Sequence, residues 1–74
     1  MNINQYVIAS AVNGTKKYII WNDTNALTKK HIVDYTLNKE EATVFESESD
    51  GDLFIPKINN PYDRRFFLEE KETV

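Results

Sequence analysis

The dipeptide Asn13-Gly14 constrains the fold of this chain more than any other feature. It lies between two runs of alternating residues, Gln5 to Val12 and Thr15 to Trp21, and it accepts the positive φ angles that a two-residue hairpin turn requires. The turn predicts a β-hairpin and its register. One face then carries Tyr6, Ile8, Ile19 and Trp21, and the other carries Val7, Ala9, Tyr18 and Ile20. Because both faces are apolar, we expect the remaining chain or a partner to cover each of them.

The length of the chain limits how large its core can be. A chain of 74 residues folds as one domain that buries about 60 to 65% of its unfolded surface. The sequence has no cysteine and one histidine, so neither a disulfide nor a zinc site is available to reinforce the fold. We therefore expect a single β-rich domain over residues 1–74, with a frayed tail at residues 70–74 and with no metal and no cofactor.

Charge and hydropathy restrict the cellular context and the class of partner. The net charge of −3 is too mild for a dedicated nucleic-acid binder or a strong mimic of DNA. No apolar run is long enough to span a membrane, and the first residues lack the pattern of a signal peptide. Since the absence of cysteine suits a reducing compartment, we expect a cytoplasmic protein that does not contact the membrane.

The middle of the chain predicts a third strand between two irregular segments. Residues 22–30 are small and polar and predict a loop or at most a short helix. Alternation resumes at His31 and predicts a strand that is exposed on one side, with Val33, Tyr35 and Leu37 on its inner face. Residues 38–41 resemble a capping box and predict one helical turn.

The second half of the chain predicts two further strands. Asp50-Gly51 is a second turn signal, and residues 53–58 after it predict an edge strand, because Pro56 cannot donate to a β-ladder. Residues 59–63 predict a loop, and residues 64–69 predict a closing strand that is buried on both sides. The predicted fold is mainly β: a small twisted antiparallel sheet of four to five strands, or a partly closed barrel, with at most one or two short helical turns.

The acidic run between residues 46 and 52 has two interpretations besides a solvated turn. Acidic residues and Gly51 match the first positions of a calcium loop that begins at Glu46, but Lys57 stands where the bidentate glutamate is needed. The alternative is a contact patch for a basic partner, and tryptophan and tyrosine, which dominate binding hot spots, would complete it. The candidate partner-binding residues are Tyr18, Trp21, Glu46, Glu48, Asp50 and Asp52.

Basic pairs beside aromatic residues suggest a different ligand. Lys16-Lys17, Lys29-Lys30 and Arg64-Arg65 are the three basic pairs. Aromatic rings next to guanidinium groups stack bases and hold phosphates, so Tyr62, Arg64, Arg65 and Phe66 are the candidate nucleotide-binding or nucleic-acid-binding residues. The same pattern also occurs in surface arginines that flank a buried strand.

Catalysis has little support in the sequence. His31 is the one imidazole, and its odd spacing from Asp34 places the two on opposite faces of a strand. No nucleophile, metal-binding cluster or convergent pair of carboxylates is visible. We therefore expect that the protein is not an enzyme.

The whole chain resembles a group of small proteins in style. The pattern Tyr-Val-Ile, Lys-Tyr-Ile and Ala-Thr-Val-Phe followed by an acidic turn, in a chain rich in lysine and asparagine, looks like the accessory proteins of phages and mobile elements of AT-rich bacteria. This resemblance implies stoichiometric binding that blocks a host protein or defence complex, or that sequesters a nucleotide signal. Residues 42–68 are also similar to one lobe of a β-trefoil, which implies a trimer or a different small barrel.

These observations lead to two functional hypotheses. The first is a phage-encoded, anti-defence inhibitor that binds a host protein, as a monomer or as a homo-oligomer. The second is binding of a nucleotide or nucleic acid through Arg64, Arg65 and the neighbouring aromatic residues.

Overall fold

The computed structural model describes residues 3–73, and side chains from residue 5 to residue 71. Its strands are β1 (Ile3–Val12), β2 (Thr15–Thr24), β3 (His31–Thr36) and β4 (Phe66–Thr73). They form one open antiparallel sheet in the order β3-β2-β1-β4. One helix, α1 (Glu48–Phe54), and two 3₁₀ turns, Lys39–Glu41 and Ile55–Lys57, lie between β3 and β4. The predicted fold class, a small mainly β sheet of four or five strands, is confirmed.

The predicted hairpin forms β1 and β2. Asn13 and Gly14 have φ angles of 52° and 80°, and Val12 pairs with Thr15 across the turn. Both φ values lie in the left-handed region that asparagine and glycine tolerate best. The local turn chemistry therefore sets the register of the whole hairpin.

Both faces of this hairpin are covered from within the chain. On one face Val7, Ala9 and Tyr18 pack with Ala42, and on the other Ile8 and Ile19 pack with Phe54 and Ile58. The first cluster lies under residues 42–44 and the second under α1 and the turn that follows it. A partner is not needed to bury these two clusters.

The prediction of a turn at Asp50-Gly51 and a strand over residues 53–58 is wrong, because this segment is α1 and a 3₁₀ turn. Ser47 caps the helix, since its Oγ accepts a hydrogen bond of 3.1 Å from the backbone N of Asp50. The acidic residues in the first turn stabilise the helix, because their negative charges lie near the positive end of the helix dipole. Gly51 is buried against Leu68, whose side chain would collide with a Cβ at that position. The helix also removes the similarity to a β-trefoil lobe, which needs a turn and a strand here.

The strands differ from the predicted ones at four places, three in their boundaries and one in their burial. β2 continues to Thr24 through a β-bulge between Trp21 and Asp23, so the predicted loop starts later. Leu37 lies beyond the end of β3 and is exposed. Phe67 is also exposed, so the closing strand is not buried on both sides.

The fourth difference is at the chain end. Residues 70–73 of the predicted frayed tail belong to β4, because pairing with the beginning of β1 satisfies their backbone groups whatever their side-chain pattern. Val74 lies outside the described residues.

Candidate functional site

An aromatic cluster joins α1 to the end of the sheet. It consists of Trp21, His31, Phe45 and Phe54. The His31 ring stacks on Phe54 with 4.5 Å between centroids, and Trp21 meets Phe54 edge-on at 5.2 Å. Phe54 is buried, whereas Trp21 keeps 46% of its surface exposed. The cluster therefore holds one large aromatic side chain at the protein surface.

The exposed Trp21 ring has a fixed position. Its Nε1 donates to the carbonyl of Asp23 at 3.0 Å and to Oγ1 of Thr24 at 3.2 Å. The Trp21 backbone N donates to Oγ1 of Thr43 at 2.7 Å. Side chains ordered in this way lose less entropy when they enter an interface.

His31 is held as firmly as the tryptophan beside it. Its Nδ1 lies 2.9 Å from Oγ1 of Thr24, and its backbone carbonyl accepts from the N of Asn59 at 2.8 Å. These contacts tie β3 to β2 and to the segment after α1. The structure thus gives His31 a role in positioning the cluster.

The exposed side of α1 continues this surface with acidic groups. Leu53, which is 65% exposed, borders a small cavity together with His31 and Asp50. The carboxylates of this region make no ion pair with any described residue: Glu46, Glu48, Asp50 and Asp52. We call the exposed residues Trp21, Asp50 and Leu53, together with Glu48 and Asp52, which helical spacing places on the other flank of α1, the acidic-aromatic surface. Glu46 is exposed just before the helix.

Tyr18 does not belong to this surface. It is buried in the cluster on the opposite face of the hairpin, and its hydroxyl donates to Oε1 of Glu69 at 3.1 Å. Two ammonium groups lie near its ring, those of Lys16 and Lys39. The structure therefore separates Tyr18 from the other candidate partner-binding residues.

Glu69 is the electrostatic centre of that opposite face. Its carboxylate accepts from Lys16 Nζ at 2.7 Å and from Lys39 Nζ at 2.8 Å. The hydrogen bond from Lys16, followed by that from Lys39, lowers the pKa of Glu69 to about 2, and the same contact raises the pKa of Lys16. The group is a structural brace between β2, β4 and the first 3₁₀ turn.

The second set of candidate residues surrounds an ordered guanidinium group. The Cζ of Arg64 lies 5.0 Å from the ring centroid of Tyr35 and 4.7 Å from that of Tyr62. The backbone of Arg64 is held by Asn60, which accepts from its N at 2.8 Å and donates to its carbonyl at 2.7 Å. Tyr62 itself is exposed. The rings and the amide fix the arginine at the surface.

Arg64 and Phe66 border a cavity of about 480 Å³, which we call the Arg64 cavity. Arg65 and Tyr62 do not line it, and the carbonyl of Arg65 accepts from the Ser10 hydroxyl at 2.7 Å. Lys30 also borders the cavity. The Lys29-Lys30 pair is visible in the sequence, but no sequence pattern predicts that Lys30 and Arg64 border the same cavity.

Residues 3–73 contain neither a group of three potential metal ligands nor a helix that could span a membrane. No three side chains among histidine, cysteine, aspartate and glutamate come together there to hold a metal ion. None of the helices in this part of the chain is long and apolar enough to cross a bilayer.

No protein-family model matches the chain, and no curated protein and no solved structure shows a significant match to it. The function of the protein is therefore inferred from the residues of the chain itself.

Proposed function

We propose that the chain is a non-enzymatic binding protein that docks on a basic surface of another protein through its acidic-aromatic surface. The observation that carries this proposal is the exposure of Trp21 beside α1, although the chain buries the apolar clusters on both faces of the hairpin. An ordered, exposed tryptophan is typical of the centre of a binding site. Leu53 adds exposed apolar area on α1, where it borders a cavity with His31 and Phe54, the two rings that contact Trp21.

The charge of the surface indicates the chemistry of the partner. The carboxylates of Glu48, Asp50 and Asp52 are exposed and make no ion pair with described residues. Such a set of negative charges steers a positively charged partner and disfavours an acidic one. The expected partner therefore presents lysine or arginine side chains around an apolar contact.

The biological role that we propose is stoichiometric inhibition in the cytoplasm. The resemblance to accessory proteins of phages and mobile elements supports a host protein or a defence complex as the target. Blocking by occupancy requires no catalytic group, which agrees with the structural use of His31 described above.

Capture experiments with matched variants test the proposal. Wild-type protein is immobilised beside a variant in which Glu46, Glu48, Asp50 and Asp52 are changed to serine, and beside the charge-reversal variant R64E/R65E. We expect a basic protein from bacterial lysate to be retained by the wild type and by R64E/R65E but lost from the serine variant, measured by quantitative mass spectrometry. Retention by the serine variant would refute the proposal.

A second candidate function is binding of a nucleotide or nucleic acid near Arg64. The specific observation in its favour is the guanidinium group held between Tyr35 and Tyr62 at the edge of a cavity. Such an arginine offers a fixed positive charge and N–H donors for phosphate oxygens or for the edge of a base. Loss of phosphate-dependent binding in R64E/R65E, with partner capture unchanged, would support this function over the first.

A further inference from the structure

A second cavity, of about 370 Å³, lies between the β2–β3 loop and the 3₁₀ turn Ile55–Lys57. Its lining consists of three lysines, one imidazole and two hydroxyl groups: Thr24, Thr28, Lys29, Lys30, His31 and Lys57. No carboxylate of a described residue lines it. We call it the lysine cavity. Most of its lining surface is apolar, and its ionisable side chains are lysines and one histidine, which favour an anion over a cation.

The β2–β3 loop holds two of these lysines in place. The carbonyl of Asn25 accepts from the N of Lys29 at 2.8 Å, and the N of Asn25 donates to the carbonyl of Lys30 at 2.8 Å. The Asn25 side chain accepts from the backbone N of Leu27 and of Thr28. Lys29 has a φ angle of 63°, a left-handed conformation that lysine seldom adopts. The loop is thus closed on itself and fixes the backbone of Lys29 and Lys30 at the border of the cavity.

The lysines of this cavity are not neutralised by the protein. The three ion pairs among described residues involve Lys16, Lys39 and Lys71. The Nζ of Lys30 makes one long contact, of 3.5 Å, with the carbonyl of Pro56. Asp50 borders an adjoining small cavity together with Lys57 and His31, but it makes no ion pair with these lysines. Positive charges that are not paired raise the local potential, so a multiply charged anion would relieve their repulsion.

The lysine cavity adjoins the Arg64 cavity, because Lys30 borders both. The Arg64 cavity has a mixed lining, in which Ile55, Pro56 and Phe66 are apolar and Asp63 is acidic. Each cavity is within the size range of small-molecule sites. A ligand that extends across both would need an anionic part at the lysines and a flat, less polar part near Arg64.

From this arrangement we infer that the lysine cavity binds the phosphate groups of a nucleoside polyphosphate, whose base lies in the Arg64 cavity. This inference rests on the second candidate function and extends it, since it assigns the phosphates to a site that shares no residue with Arg64, Arg65, Tyr62 or Phe66. Ammonium groups hold phosphate oxygens by charge-assisted hydrogen bonds. The Arg64 guanidinium lies between the rings of Tyr35 and Tyr62, so its N–H groups donate to the edge of the base.

Calorimetric titration with ATP and AMP tests this inference. We expect ATP to bind on the order of tenfold more tightly than AMP, because its additional phosphates reach the lysines. In K57E this preference should be lost, while AMP binding changes little. K17E is the matched control, since it makes the same charge change near the hairpin turn, at the opposite end of β2; it should keep the preference for ATP. Equal melting temperatures establish that each variant is folded.

A second variant addresses the loop. Lys29→Asn removes the charge and introduces a residue that tolerates positive φ, so it should weaken ATP binding without unfolding the loop.

Distinct results separate this inference from the function on which it rests. If ATP and AMP bind equally well, or if K17E reduces ATP binding as much as K57E does, the phosphate site is refuted. If R64Q abolishes binding of both nucleotides while K57E does not change the ratio, the second candidate function stands and the inference fails. If neither nucleotide binds, both fail. A single-stranded oligonucleotide that binds while ATP does not would refute the small-molecule assignment.

Discussion

Glu69 and Trp21 illustrate two different roles of single side chains in this protein. Glu69 joins β4 to β2 and to the first 3₁₀ turn through two ammonium groups, whereas Trp21 is ordered by hydrogen bonds but stays exposed. A partly buried ion-pair centre and an exposed aromatic ring respond differently to mutation. Changes at Glu69 should affect stability, and changes at Trp21 should affect binding.

The pKa of Glu69 leads to a prediction about pH. Because the folded value of about 2 is below the usual range, the carboxylate stabilises the folded protein above about pH 4.5, and this contribution is lost as the pH falls towards 2. We expect Glu69→Gln to lower the free energy of unfolding by about 1 kcal/mol at pH 7, because solvent screens the ion pairs of this partly exposed carboxylate. Urea denaturation of both proteins between pH 7 and pH 2 measures the difference, which should shrink in acid.

Glu70→Gln is the control for that measurement, since the Glu70 carboxylate makes no ion pair with described residues. It should change stability by less than about 0.5 kcal/mol. A Glu69→Gln deficit that stays constant down to pH 2 would mean that the ion pairs with Glu69 do not operate in solution.

At the scale of elements, the stability of α1 depends on its N-terminal cap and its tertiary contacts, because the helix is short. A helix of 7 residues is too short to be stable alone, so Ser47 and the contacts of Gly51 and Phe54 must hold it. Ser47→Ala removes the hydrogen bond to Asp50 N and should cost about 1 kcal/mol. Thermal unfolding measures this loss.

Ser49→Ala provides a matched control within the same helix. Ser49 is exposed and does not cap the helix, and alanine has the higher helix propensity. The variant should be neutral or slightly more stable than the wild type. Equal destabilisation by both substitutions would contradict the assignment of Ser47 as the cap.

These elements also show which parts of the fold could be predicted. The β1–β2 hairpin was predictable because Asn13-Gly14 determines its turn locally. Helix α1 was not, because Asp50-Gly51 is an equally good local turn signal, and the helix needs Gly51 for its contact with Leu68, a residue distant in sequence.

In the candidate site, too, individual residues were predictable from the sequence but their arrangement in space was not. The acidic residues and Trp21 were predictable from composition and spacing, whereas their proximity depends on α1. The hairpin register alone already separates Tyr18 from Trp21, because residues at odd spacing lie on opposite faces of a strand. Lys30 and Arg64 border the same cavity because of how the β2–β3 loop packs against the chain after α1. No local sequence pattern predicts this packing.

At the scale of the whole molecule, charge is divided between surfaces. Among the described residues, three carboxylates without ion pairs lie on α1, whereas the lysine cavity and the Arg64 cavity are bordered by cations without ion pairs and by one carboxylate, that of Asp63. The net charge of −3 hides this division. A protein of this kind can present an acidic surface to one partner and a basic site to a second ligand.

The acidic-aromatic surface is the centre of this account, and the single tryptophan of the chain allows it to be tested directly. Protein labelled with 5-fluorotryptophan gives one ¹⁹F resonance, which reports on Trp21 even when the unlabelled partner contains tryptophan. We expect the resonance to shift and to lose its sensitivity to exchange of H₂O for D₂O when the captured basic protein is added. A ¹⁹F resonance that keeps its position and its solvent sensitivity in the saturated complex would show that the partner binds elsewhere.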